Sequence, residues 1–407
     1  MKGPDKRAPF ASTGGYIPPE FQNIKTPCYI LDEKILIKNA KLLGEIAERT
    51  GCRMLLAQKA FSNYDCYRFF DPYLAGTEAS GLFEARLGAE EMPGKEVHVF
   101  CAGYRADEFE ELLRYADHIV FNSPSQLLRF GQMAKDAGKS VGLRINPECS
   151  TQEGHEIYDP CAPGSRMGTT RAQWDEAYKK NPELLELLDG LHFHTLCEQD
   201  SDALETTLVS VKEHFGDLAS RVKWINFGGG HHITRPGYDI ERLERCIRLA
   251  QKEWNIEVYL EPGEAWALNA GFLLTSVLDV LKNGKRWIAI TDASAACHMP
   301  DVLEMPYRPP LLGADEPEAG GITVRLGGPT CLSGDVIGDY GFRRLPEYGD
   351  LLLFGDMAIY TTCKNNTFNG MALPDIWLRH ADRSMQKLTD FGYADFKERL
   401  GSRYSYL

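Results

Sequence analysis

The chain has 407 residues, of which 43% are hydrophobic and 25% charged, with a formal net charge of −13. That length exceeds one ordinary core and predicts two domains, one of them large enough to be a barrel. The acidic balance argues against nucleic acid and suits a cationic ligand, and the longest mostly apolar stretch, Ala270 to Val280, is too short to span a membrane.

Met1 to Pro19 is rich in Gly, Pro and polar residues, has no apolar core of a secretion signal, and reads as a loose arm over residues 1–20. Eleven cysteines, an odd number without a CxxC pair or a metal-like Cys/His spacing, fit reduced thiols in a cytoplasmic protein and predict no metal. A short apolar run, Cys28 to Leu31, precedes the main pattern. The expectation is that residues 21–40 pair with a later β domain.

Cys52 to Ala60, Cys-Arg-Met-Leu-Leu-Ala-Gln-Lys-Ala, has the look of a buried strand that delivers one lysine, Lys59, at its C-terminal end. An amine leaving an apolar strand is easily deprotonated, because desolvation penalises its cationic form, and it can then attack a carbonyl.

From there short apolar runs alternate with amphipathic segments. The predicted strands are Arg53 to Ala57, Tyr73 to Glu78, Val97 to Cys101, His118 to Asn122, Val141 to Asn146, Leu191 to Thr195, Val222 to Phe227 and Glu257 to Glu261. The helical patterns between them include Ala106 to Ala116, Ser123 to Gly138, Asp202 to Arg221 and Ile240 to Trp254, with Ser123-Pro124 as an N-cap and N1 pair. Eight such units predict an α/β TIM barrel over residues 41–265, with its chemistry where the strands end. Lys59, His194, Gly228 to Gly230 and Glu261 all fall at or just beyond predicted strand ends. After Glu264 the helices stop. Phe272 to Leu281, Arg286 to Asp292, Ile322 to Leu326 and Asp350 to Phe354 predict a mostly β C-terminal domain over residues 266–407.

The motifs are Thr-Pro-Cys-Tyr at 26–29, Gln-Lys-Ala at 58–60, Ala-Ser-Gly-Leu-Phe-Glu at 79–84 and Asp-Pro-Cys-Ala-Pro-Gly-Ser-Arg-Met-Gly at 159–168. They continue with Leu-His-Phe-His at 191–194, Gly-Gly-Gly at 228–230, Glu-Pro-Gly-Glu at 261–264, Gly-Pro-Thr-Cys at 328–331 and Thr-Phe-Asn-Gly at 367–370. In this order and spacing they resemble the alanine-racemase-fold family of pyridoxal phosphate decarboxylases, and within it the branch acting on carboxynorspermidine and carboxyspermidine. The resemblance runs from about Thr26 to Leu378.

It implies pyridoxal 5'-phosphate as cofactor, with Lys59 as the Schiff-base lysine, His194 stacked on the ring, Arg144 near the phenolic oxygen and Glu261 opposite the pyridine nitrogen. Gly228, Gly229, Gly230 and Gly263 would line the cofactor, with Tyr360 reaching its phosphate. Cys331 would return a proton to the substrate's Cα from a neighbouring subunit, which implies a homodimer with shared active sites. The departures concern the substrate. Glu264 stands where the amino-acid decarboxylases carry arginine, and Leu332 where they carry an acid that reads the far end of a diamino acid. Thr195-Leu196-Cys197 replaces their Gly-Ser pair. Glu264, Asp301 and Asp335 are therefore the expected partners of a carboxylated polyamine's cationic amines. Decarboxylation of diaminopimelate or another basic amino acid is the alternative, and a non-catalytic cofactor-binding homologue the second.

Overall fold

A computed structural model describes residues 17–152, 159–319 and 321–401, so most of the expected arm lies outside the described residues. At the described end of that arm Glu20 pairs with Arg379 at 2.6 Å, and the next residue, Phe21, is buried. Contacts divide the chain into two units, one formed by the stretch up to Leu36 together with Ala267 onward, the other by Ile37–Trp266.

The first strand, β1 (Cys28–Asp32), belongs to the first unit. The second unit holds β2 (Arg53–Ala57), β3 (Gly76–Ala79), β4 (Glu96–Phe100), β5 (His118–Phe121), β6 (Ser140–Arg144), β7 (Gly190–His192), β8 (Trp224–Asn226) and β9 (Glu257–Leu260). All eight are parallel and close on themselves, β2 pairing with both β3 and β9. The predicted TIM barrel is the observed one. Several strands stop earlier than the apolar runs do; Leu191 to Thr195 becomes Gly190–His192, because the last residues of each run leave the ladder to enter the loop. The N-terminal end of the barrel is filled by rings. His98 and His118 stack at 3.9 Å with 14° between their planes, against Trp224 and Tyr259.

The helix Pro124–Asp136 begins as its sequence dictates, with the Ser123 side chain accepting from Gln126 N at 3.3 Å and Pro124 in the first turn. Ile240–Trp254 matches its predicted bounds and ends at Asn255, whose φ of 52° stops the helix.

In the first unit, β1 is joined by β10 (Gly271–Asn283), β11 (Arg286–Thr291), β12 (Ile322–Gly327), β13 (Val336–Phe342), β14 (Leu351–Gly355), β15 (Asp375–Arg379) and β16 (Met385–Thr389). The sheet order is β13-β12-β11-β10-β1-β15-β16, with β14 on β10. β1 lies in the middle, antiparallel to β10 and parallel to β15. Its core gathers Phe21, Cys28, Ile30, Phe272, Leu274 and Leu353. Among the described residues no helix is long and apolar enough to cross a membrane.

Candidate functional site

At the C-terminal end of the barrel strands, the turn after β2 carries Gln58, Lys59 and Ala60. Gln58 is fully buried, donates through Nε2 to Glu84 O at 2.8 Å and accepts from Tyr67 Oη at 3.1 Å. Its neighbour Lys59 is exposed, so the expectation of a desolvated lysine needs correcting. The apolar run describes the strand, but the lysine lies past its end. Lys59 acts electrostatically on Glu78, Glu84, Glu261 and His194.

Two of those carboxyls behave oppositely. Burial first, and then the neighbouring Glu261 charge, raises Glu78 well above the usual carboxylate range, and its Oε2 is buried without a hydrogen-bond partner. Glu261 is also buried, which opposes ionisation, yet His192 and Lys59 hold its carboxyl below the ordinary value. Glu261 Oε2 lies 3.0 Å from His192 Nε2, and its Oε1 accepts from Asn226 Nδ2 at 2.6 Å. Burial lowers the pKa of His192 itself, so the neutral ring acts on Glu261 as an Nε2–H donor more than as a charge. That tautomer leaves Nδ1 bare, in agreement with its lack of a partner.

Arg144, the last residue of β6, is buried, donates to His194 O at 3.1 Å and lies 4.5 Å over the Phe100 ring. Burial brings its guanidinium down to about 10. His194 lies two residues past β7 and accepts from Gly229 N at 3.0 Å through Nδ1. Burial, followed by the positive Lys59 and Arg144, holds its pKa well below the usual imidazole value, so the ring is neutral with its proton on Nε2.

The glycines follow from close approach. Gly228 and Gly230 have φ of 71° and 82°, and a Cβ on Gly229 would meet Glu261 O at 2.6 Å. Two of the three amides are already engaged: Gly228 N donates to Asn226 Oδ1 at 2.8 Å and Gly229 N to His194 Nδ1 at 3.0 Å. Only the Gly230 N–H makes no hydrogen bond among the described residues. At Gly263 a Cβ would stand 2.7 Å from that of Ala60, so glycine lets the turn after Glu261 pack against the turn of Lys59. Glu264 follows, with its Oε2 3.1 Å from His232 Nε2.

In the other unit, Cys331 is exposed, and its backbone N–H donates to Asn369 Oδ1 at 2.7 Å, joining the Gly-Pro-Thr-Cys and Thr-Phe-Asn-Gly motifs. Leu332 beside it is exposed. Tyr360 is half-buried with φ of 59° and precedes the short helix Thr361–Lys364. Asp301 and the nearby Glu304 both bond Lys364 Nζ. Asp335 is corrected as a substrate contact. Its buried carboxylate accepts from Thr330 Oγ1 at 2.6 Å, Ser294 Oγ at 2.9 Å and Ala296 N at 3.3 Å, so it holds its own loops.

Sequence reasoning missed Asn226, His192, Glu78 and His232. Asn226 ends the strand just before the glycines, and His192 stands two residues before His194 in the predicted strand Leu191 to Thr195, hence on the same predicted face. Those spacings were the available signals.

The chain matches the family model of the pyridoxal-dependent decarboxylase C-terminal sheet domain over residues 28–358. It is 39% identical to the carboxynorspermidine/carboxyspermidine decarboxylase of Campylobacter jejuni over 93% of this chain and 99% of that protein. To the carboxyaminopropylagmatine decarboxylase of Synechocystis it is 38% identical, over 94% and 97% of the two chains. The crystal structure of the Campylobacter jejuni carboxynorspermidine decarboxylase complexed with norspermidine superposes with a TM-score of 0.83 at 38% identity, covering 92% of this chain and all of that one.

The barrel residues fit pyridoxal 5'-phosphate by their own chemistry. Lys59 supplies an accessible amine, Glu261 an ionised buried carboxylate for a cationic ring nitrogen, and Gly230 an uncommitted amide for a phosphate oxygen.

Proposed function

Because the chain belongs to the pyridoxal-dependent decarboxylases, we propose that it removes the carboxylate of a carboxylated polyamine, carboxynorspermidine or carboxyspermidine, leaving norspermidine or spermidine. The observation that carries this reading is Glu264. Its carboxylate is 14% exposed and directly follows the glycine packed against Ala60, so negative charge stands where diaminopimelate would need positive charge for its second carboxylate. It suits a cationic amine instead.

Lys59 would hold the cofactor through its amine. Arg144 and the Gly230 amide would meet the cofactor's anionic oxygens, His194 would cover one face of its ring, and Glu261 would supply the countercharge to its pyridine nitrogen. Once bound, that group would supply the electron sink that loss of carbon dioxide from Cα requires. Neutral His192, donating to Glu261, and Asn226 keep that carboxylate ionised and fixed. Cys331 returns the proton to Cα. Glu264 and Asp301 take the cationic amines, each charge finding an opposite one. Cys331 comes from a second copy of the chain in a homodimer, each copy completing the other's site, while Tyr360 reaches the cofactor's phosphate. Eleven cysteines, none of them in a disulfide among the described residues, suit a reducing cytoplasm.

The test is an absorbance spectrum of the loaded enzyme followed by carbon dioxide release from carboxynorspermidine, carboxyspermidine, carboxyaminopropylagmatine and diaminopimelate. A visible cofactor band lost in Lys59→Ala, with turnover confined to the carboxylated polyamines, is expected. Turnover of diaminopimelate alone overturns the reading of Glu264. Mixing inactive Lys59→Ala and Cys331→Ala chains restores activity if sites are shared; no restoration refutes the sharing.

A further inference from the structure

Lys364 already occupies the position of an amine. Its Nζ bonds both Asp301 Oδ1 and Glu304 Oε2, on the short helix Asp301–Glu304, and lies 6.0 Å from the centre of the Tyr360 ring. The segment that carries it is pinned along its length. Asn366 donates through Nδ2 to Ala296 O at 2.8 Å and through its backbone to Cys297 O at 2.9 Å, and Asn369 holds Cys331. Lys364 is thus fixed on the same stretch as Tyr360, one helical turn away, and its partners include the acid assigned above to a substrate amine.

We propose that Lys364 is a specificity-determining residue that sets the charge of the amine subsite. Two carboxylates and one ammonium leave a single net negative charge, which matches one cationic centre of a polyamine. The ammonium also takes lone pairs of both acids and holds them in place. A subsite of two uncompensated carboxylates would instead hold a polycation too well, the decarboxylated product included, since the product keeps every amine of the substrate and loses only its negative group. Lys364 therefore favours release of product.

This inference rests on the polyamine reading and on Asp301 as an amine contact. It predicts opposite signs for two changes that break the same ion-pair cluster. Lys364→Met makes the cluster more negative by one charge, and Glu304→Gln makes it more positive by one. Calorimetric titration of the cofactor-loaded enzyme with norspermidine should show Lys364→Met binding more tightly and Glu304→Gln more weakly, each by about five- to tenfold at low salt. Both differences should shrink in about 1 M salt. In turnover, Lys364→Met should show stronger product inhibition and a lower KM with little gain in kcat. A purely structural ion pair moves both variants in the same direction, and that result, or no shift in either, overturns the inference. Urea unfolding of each variant, with Lys364→Gln as a second neutral replacement, separates folding from binding. The parent enzyme distinguishes the two levels of the argument: failure to bind norspermidine or to turn over any carboxylated polyamine overturns the functional reading as well, whereas normal parent behaviour with same-sign variants overturns the role of Lys364 alone.

Discussion

Asn226→Ala is the substitution that bears most directly on the barrel site. Asn226 is fully buried and makes two bonds that no neighbour can replace, donating to Glu261 Oε1 at 2.6 Å and accepting from Gly228 N at 2.8 Å. Removing the amide strips an ionised carboxylate of one donor, at about 1.5–3 kcal/mol, and leaves a buried N–H unsatisfied, at about 1–3 kcal/mol. Allowing for partial relaxation, the expected loss is about 3–5 kcal/mol of stability together with weaker cofactor binding. Asn226→Asp sharpens the test. It keeps the acceptor for Gly228 N but sets a second carboxylate against Glu261, so one of the two must carry a proton and its folded pKa rises above the unfolded value. The stability tied to that proton is fully present below about pH 4, the unfolded carboxylate value, and is lost as pH rises through the folded one. Urea unfolding at several pH values, with cofactor titration followed by absorbance, measures both effects. An Asn226→Ala protein within about 1 kcal/mol of the parent at pH 7, with unchanged cofactor affinity, would refute the reasoning.

The stacked pair at the other end of the barrel gives a pH prediction. Burial, followed by repulsion from His98, depresses His118 from 6.5 to about 3, so folding favours its neutral form. The stability this contributes is present above pH 6.5 and drains away as pH falls toward 3. His118→Phe, which keeps a ring in the stack, should flatten that acid-side loss in urea titrations; an unchanged slope between these limits would contradict it. Gly229→Ala should break the bond to His194 Nδ1 and push against Glu261 O, costing about 1–3 kcal/mol and weakening the cofactor's hold. Equal cofactor affinity in parent and variant would show that the loop moves aside freely.

The barrel was legible because most of its strands are short apolar runs separated by amphipathic helices, and periodicity reports that pattern directly. β2 and the helix Ile240–Trp254 matched to the residue. In the sheet unit, β13 and β16 escaped notice for opposite reasons. Val336–Phe342 is interrupted by two glycines, and Met385–Thr389 has Gln and Lys on a strand with little buried surface, so neither alternates cleanly. At the site, single residues announced by motifs were readable, but their partners were not. Asp335 looked available because charge is visible in a sequence, whereas Thr330, Ser294 and Ala296, which satisfy it, come together only in the fold. Lys364 escaped for the same reason: nothing in its neighbourhood along the chain announces that it faces Asp301 and Glu304.

The central place of β1 in its sheet has a consequence for biosynthesis. The strand is made first, yet its two hydrogen-bonding edges find partners only when Gly271 and then Asp375 have been synthesised. Throughout that interval an apolar strand waits with open edges, the condition under which chains associate wrongly. The barrel is the insert that lies between β1 and the first of these partners. Its two ends meet where Asn39 Nδ2 donates to Trp266 O at 3.3 Å, so a folded barrel returns the emerging chain close to where it left. Closing the loop then costs little more than that of a short connection. A nascent chain whose barrel is slowed should therefore aggregate through β1, and one released after Trp266 should carry a folded barrel with a sticky N-terminal strand.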